Sequence, residues 1–428
     1  MKAIYLFITL LFITTCISEQ TSAQESKDED TVAQSPDREK ALRVFLDCYY
    51  CDSDFIKRQL PFVNYVRDRH EAQVHILVTR QSTGSGGREY KIIMLGQEEF
   101  EGIADELTYV SSPDETYDMT RQGRTRIIAM GLMQFVAKTP MANMVNIGYN
   151  GDYDEEQKAE IVEDKWNSWV FDIDLSGEYQ REESRVNPEL EADFSIEKIT
   201  PDWKVEFAPS YDYYSSKYFY EDTIYTSKRN RASFRHLLVK SLNDHWSAGG
   251  RIYVSSDSYR NSRLGWSIYP AVEYNVFPYQ ESSRKQLRFQ YRVGYGYTYY
   301  EELTIYDKME EGLFGQQLSI AYGIRQPWGS INASLSGFTF LHDLSKNNVQ
   351  LRTSAYIRIL KGLSLNLSCR AALIHDQLSL TKEGATAEEV LLRQQQIASQ
   401  YNYSFKVGFS YTFGSIYNNV VNPRFGDR

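Results

Sequence analysis

Cys48-Tyr49-Tyr50-Cys51 is the densest cluster of reactive chemistry in the chain. This spacing lets two thiols close a disulfide, exchange with an external thiol, or share a metal, here where a strand hands over to a helix. A helix N-terminus favours the thiolate of an exposed cysteine. Asp47, Asp52 and Asp54 surround the pair and oppose ionisation. A structural disulfide is the leading reading; exchange, metal binding and free thiols stay open. Cys369 falls on the apolar parity of a strand and reads as a packing residue. His342-Asp343 with Ser345 close by, and His375-Asp376, are the acid–base pairs a hydrolytic site would need. No nucleophile motif accompanies them, so they read as solvated loop pairs. Gly84-x-Gly86-Gly87 has no following Lys-Ser/Thr or helix, and reads as a hairpin turn rather than a phosphate loop. Neither a metal site nor a cofactor is expected.

A second constellation emerges once charges are sorted by strand parity. Asp172, Asp174, Glu178, Asp193, Glu197, Glu206 and Asp212 fall on the polar parity of the early strands, with Lys204 the one base among them. Arg251, Arg263, Arg288, Arg292, Arg325, Arg352, Arg358, Arg370 and Lys406 fall on the polar parity of the later ones, with Glu273 the main acid. Inside a closed lumen these become an acidic and a basic wall. They would neutralise each other and fill the interior, or set a transverse field that selects solutes.

The elements that must position these residues come in two styles. Residues 40–140 read as a compact α/β unit. Val44-Phe45-Leu46 makes a strand, and a helix opens at Ser53 or Asp54 and runs through Val66 with a kink at Pro61. Gln73–Thr79 and Tyr90–Leu95 form a hairpin, a further strand lies near Leu107–Val110, and Asp114–Val136 reads as a helix carrying Ile127, Met130, Leu132 and Phe135. From Trp169 onward the rhythm is period two. Trp169, Phe171, Ile173 and Leu175 alternate with Asp172, Asp174 and Ser176; Leu287, Phe289, Tyr291 and Val293 alternate with Arg288, Gln290 and Arg292. About twelve such segments follow one another between 168 and 413, joined alternately by short and long connections. That pattern predicts an antiparallel up-and-down transmembrane β-barrel behind a small N-terminal α/β domain.

The bulk numbers are consistent with that reading. The 428 residues carry a net charge of −10, 33 Tyr and 14 % aromatics. Mean hydropathy is −0.50, and no run of about 18 apolar residues occurs beyond the N-terminus, which excludes a helical membrane protein. The acidic balance argues against nucleic acid as the main partner. Lys2, the apolar Ala3–Ile13 and the small residues Thr21-Ser22-Ala23 read as a cleaved signal peptide over 1–23, which would remove Cys16. Residues 24–39 read as a disordered lead-in, 141–165 as a linker, 166–414 as the barrel and 415–428 as a tail.

The last segment adds a resemblance. Lys406-x-Gly408-x-x-Tyr411-x-Phe413 is similar to the C-terminal insertion signal of outer-membrane barrels, although Phe413 is not terminal. More loosely, 231–300 resemble an uncharacterised family of salt-induced outer-membrane proteins through Trp246-Ser247-Ala248, Leu264-Gly265-Trp266 and Tyr295-Gly296-Tyr297. Together they imply a porin-like, non-enzymatic protein of the outer membrane, serving as a narrow channel, envelope scaffold or accessory subunit. The alternative is an outer-membrane hydrolase with its site in the outer loops. The partners implied are outer-membrane lipid, the barrel-assembly machinery and an envelope protein meeting the periplasmic domain, with domain and tail both in the periplasm.

Overall fold

A computed structural model describes residues 40–84, 86–146, 148, 164–220, 223–384, 396–422 and 424. The signal-peptide and lead-in expectations, and most of the linker, lie outside the described residues.

The α/β unit runs β1 (Arg43–Asp47), α1 (Ser53–Gln59), β2 (Asn64–Tyr65), β3 (Val74–Ser82), β4 (Arg88–Gly96), β5 (Ala104–Ser111) and α2 (Tyr117–Val136). Its sheet order is β2-β1-β3-β4-β5, with β1 parallel to both neighbours and the rest antiparallel. The first helix is shorter than the spacing suggested. Asp52 caps it by accepting from the Phe55 N–H, and it stops at Gln59. Pro61 accounts for the stop, because its ring disfavours a helical conformation at the preceding Leu60. Thr116 caps α2 in the same way through Met119. Its inward stripe is Arg124, Ile128, Leu132 and Phe135, spaced to lie on one face. Gly131 lets this face approach the sheet, because a Cβ there would come within 2.6 Å of Met94 Cε. Met130, expected on the apolar face, is instead exposed. The buried apolar cluster runs from Leu42 to Val136, so the packed core belongs to this unit.

The remaining strands are β6 (Trp169–Arg181), β7 (Arg185–Ile199), β8 (Trp203–Tyr220), β9 (Thr223–Ser241), β10 (Trp246–Asp257), β11 (Ser262–Asn275), β12 (Lys285–Tyr300), β13 (Glu310–Gln326), β14 (Gly329–Phe340), β15 (Asn347–Leu360), β16 (Leu363–Ile374) and β17 (Tyr401–Tyr411). They form one 12-stranded sheet in strict sequence order, each antiparallel to the next. The alternating pattern thus becomes a meander whose two faces differ in polarity.

Closure is where expectation and structure part. Among the described residues β6 pairs only with β7 and β17 only with β16, so the sheet is open with two edges. Both edge strands are exposed on both faces: Asp172 and Asp174 as well as Phe171 and Ile173, Lys406 as well as Phe405. Period-two alternation states that a sheet has two unlike faces. It does not state that the first strand meets the last, and here they do not pair. The closed transmembrane barrel is therefore corrected to an open antiparallel sheet. The porin-like channel, envelope scaffold and outer-membrane hydrolase rested on closure and lose that support. So do the outer-membrane and periplasmic placements, and lipid, assembly machinery and envelope protein as partners. Among the described residues no helix is long and apolar enough to cross a membrane, a statement about helices alone.

The α/β unit lies against the end of the sheet that carries the β13–β14 and β15–β16 turns. Arg325, beside the β13–β14 turn, donates to Tyr50 Oη at 2.9 Å. Arg358 near the end of β15 grips Asp47, and the Gly362 N–H of the β15–β16 turn donates to Asp68. Lys91 Nζ reaches the Gln280 carbonyl at 3.5 Å. The C-terminal segment then returns along β2: Arg67 N–H donates to Ile416 O at 3.0 Å, and Asn418 N–H to Tyr65 O at 2.7 Å. The tail thereby extends the small sheet at its free edge, where unpaired backbone groups accept another strand.

Candidate functional site

One face of β8–β12 holds a cavity of about 260 Å³. Lys204, Arg251, Arg288 and Arg292 bring four cations to its lining, and Glu273 is the one carboxylate. Parity explains the grouping: Arg288, Gln290 and Arg292 share one face of β12, and register places Glu273 opposite Gln290 and Ala271 opposite Arg292. Leu237, Val239 and Ala271 give the cavity an apolar wall.

Glu273 is fully engaged. It accepts from Tyr279 Oη at 3.0 Å and from Gln290 Nε2 at 3.0 Å, and Arg288 lies 3.6 Å away. Tyr279 also receives the Ser247 hydroxyl at 3.2 Å. Burial raises the Tyr279 phenol above its ordinary pKa, so it stays a proton donor. The cations are less satisfied. Arg292 donates to the amide oxygen of Gln317 and lies 5.2 Å from the Tyr269 ring centroid. Burial first, and then the Arg251 charge, lower the Arg292 guanidinium from its ordinary value. The Nε atoms of both Arg288 and Arg292 are buried without a hydrogen-bond partner among the described residues.

The other charges scatter. Among the described residues no ion pair joins the acidic set to the basic set. Asp172, Asp174 and Glu178 are exposed on the edge strand. Asp193 and Glu197 lie on β7, Glu197 accepting from Ser195 at 3.5 Å. Glu206 pairs with Arg235 on adjacent β9 at 2.7 Å. Asp212 has its carboxyl raised by burial, against the pull of the Arg231 charge. Arg263 lies over the Tyr299 ring, and Arg352 and Arg370 face each other directly across β15 and β16. Arg325 and Arg358 reach the α/β unit rather than a lumen. Of the C-terminal motif, Lys406 and Gly408 sit in the middle of β17, Tyr411 ends it, and Phe413 lies beyond it and exposed.

The suspected hydrolytic pairs do not assemble. Asp343 accepts from the backbone and hydroxyl of Ser345 in a tight turn, while the His342 ring packs near Phe340. His375 Nδ1 lies 3.3 Å from Asn347 Oδ1. Cys48 and Cys51 are joined in a disulfide, and Cys369 is free. No group of acids, His and Cys fit to hold a metal occurs among the described residues.

No protein-family model matches the chain, and no curated protein matches it. The resemblance of 231–300 to the salt-induced outer-membrane family is corrected accordingly. Trp246, Trp266 and Tyr295 on these strands make ring contacts on the face opposite the cavity, features any antiparallel sheet with an apolar face would share. Residues not singled out in the sequence are Tyr269 and Tyr279, together with Arg124 on α2, while the sequence places Gln290 on the polar parity without a role. Tyr279 sits in a connection, off the strand register, and only the folded turn brings it to Glu273.

Proposed function

We propose that this protein binds a small organic anion, without chemical turnover, in the cationic cavity of its large sheet. The observation that carries the reading is four cations around one engaged carboxylate, with two buried guanidinium Nε atoms lacking partners. A buried donor without an acceptor is costly, and a charge-assisted hydrogen bond contributes about 1.5–3 kcal/mol. An anionic group at Arg288 and Arg292 would supply that acceptor, while Leu237 and Val239 would meet an apolar body. Glu273 is held by Tyr279, Gln290 and Arg288, which suits an orienting acceptor better than a free base.

Phenyl phosphate and benzoate are suitable probes, with benzamidine as the cationic control. Calorimetry is expected to show binding of the anions that weakens with salt. Arg292→Gln is expected to weaken it by about tenfold or more. Equal binding of benzamidine, or unchanged affinity in Arg292→Gln, would sink the reading.

A further inference from the structure

A buried cation points at the disulfide. Arg124 on α2 is 3 % exposed. Its Nη1 donates to the Tyr50 carbonyl at 2.9 Å and lies 4.0 Å from Cys51 Sγ. Its Nε donates to the Thr120 carbonyl at 3.3 Å, and the guanidinium sits 4.8 Å from the Tyr90 ring centroid. All these partners are neutral, and among the described residues Arg124 enters no ion pair. A buried guanidinium outside any ion pair is expensive, and Cys51 Sγ, 4.0 Å away, becomes an anion when the disulfide is reduced.

The acids that oppose a thiolate in the sequence are neutralised in the fold. Asp47 is gripped by Arg358 at 2.8 Å, with His75 Nε2 3.3 Å away. Asp52 pairs with Arg121 at 2.9 Å, and Asp54 lies 3.7 Å from Lys57. Arg80 and Arg325 lie over the Tyr50 ring within the same loop. The pair is thus set among cations, the setting that lowers a thiol pKa. The loop is also reachable, since Tyr49 at its tip is 93 % exposed.

We propose that Cys48–Cys51 is a thiol–disulfide exchange site in which Arg124 holds Cys51 as the leaving thiolate. The co-reactant is an external dithiol. One of its thiolates attacks Cys48 Sγ, and the sulfur–sulfur bond breaks with its electron pair passing to Cys51 beside Arg124. The second thiol of the reductant then displaces Cys48. The reductant leaves as a disulfide, and the protein retains a Cys48 thiol and a Cys51 thiolate, two electrons having passed to it. Oxidation is the reverse.

The test equilibrates the full chain with mixtures of reduced and oxidised dithiothreitol, then reads the fraction reduced by alkylation and the fold by circular dichroism. The wild type is expected to be reduced while folded. Arg124→Gln is expected to shift the equilibrium about tenfold towards the disulfide, which is about 30 mV for a two-electron couple. Arg124→Lys should restore most of that shift. Reduction only with loss of fold, or an Arg124→Gln constant within about twofold of wild type, overturns the proposal. Should Arg124→Gln fail to fold, the wild type alone decides. The thiolate absorbance of reduced minus oxidised chain, in which Cys16 and Cys369 cancel, should show one thiol ionising below the ordinary ~8.5. Two thiols ionising at or above that value overturn it.

Discussion

Asp47→Asn is expected to destabilise the chain by about 3–5 kcal/mol near neutral pH, because it strips one partner from a largely buried ion pair. Arg358 Nη1 and Nη2 donate to the two Asp47 carboxylate oxygens at 2.8 and 2.9 Å, and Nη1 also donates to the Pro327 carbonyl at 2.9 Å. The side chains are 21 % and 15 % exposed, and this pair ties β1 to the end of β15. Burial by itself would raise the Asp47 carboxyl. Hydrogen bonds from His75 and Arg358, with the Arg358 charge, outweigh it and bring the pKa from 3.8 down to about 2. The sign follows. A carboxyl depressed in the folded state contributes stability that is complete above its unfolded value and is lost as pH falls through the folded one. The ionisation part of that contribution is about 2 kcal/mol, allowing for the exposed fraction. Urea unfolding of wild type and Asp47→Asn should therefore show a gap that is full at neutral pH and narrows from about pH 4 towards pH 2. A difference under about 1 kcal/mol at neutral pH, or curves that stay parallel in acid, would count against the pair as the anchor.

That anchor shows what pattern reading reaches and where it stops. Period-two alternation located the strands well, because strands such as β12 have unlike faces, as Phe289 against Arg288 makes plain. It also placed Arg288 and Arg292 on one face. Closure is a different quantity, set by the pairing of β6 with a strand more than two hundred positions away, and alternation carries no term for it. The arginine walls failed for a related reason. Arg325 and Arg358 share the parity of Arg292, yet they lie where their strands end, and the acceptors that meet them, Tyr50 and Asp47, come from the α/β unit. Long-range docking of this kind leaves no local trace. Arg124 was legible in principle: it stands one helical repeat before Ile128 and two before Leu132, so a charge occupied an inward position.

Phe135→Ala is expected to cost about 3–5 kcal/mol, the range for deleting a buried aromatic ring from a packed core. Phe135 is fully buried, and its ring meets Phe100 edge-on at a centroid distance of 5.6 Å. The cavity left would open between α2 and the small sheet, where Gly131 already fixes a close approach and little relaxation can fill it. Met130 provides the internal contrast. The sequence pattern puts both residues on the apolar stripe, but Met130 is 60 % exposed, so Met130→Ala should stay within about 0.5 kcal/mol. Denaturant unfolding of the two variants beside wild type reads both effects. Equal costs, or a Phe135→Ala loss under about 1 kcal/mol, would mean that α2 packs through a different face. The expected asymmetry would place Arg124 firmly on the inward face, because it precedes Phe135 along the same stripe as Ile128 and Leu132. The same rotation of α2 that buries Phe135 carries the Arg124 guanidinium to the Cys48–Cys51 loop.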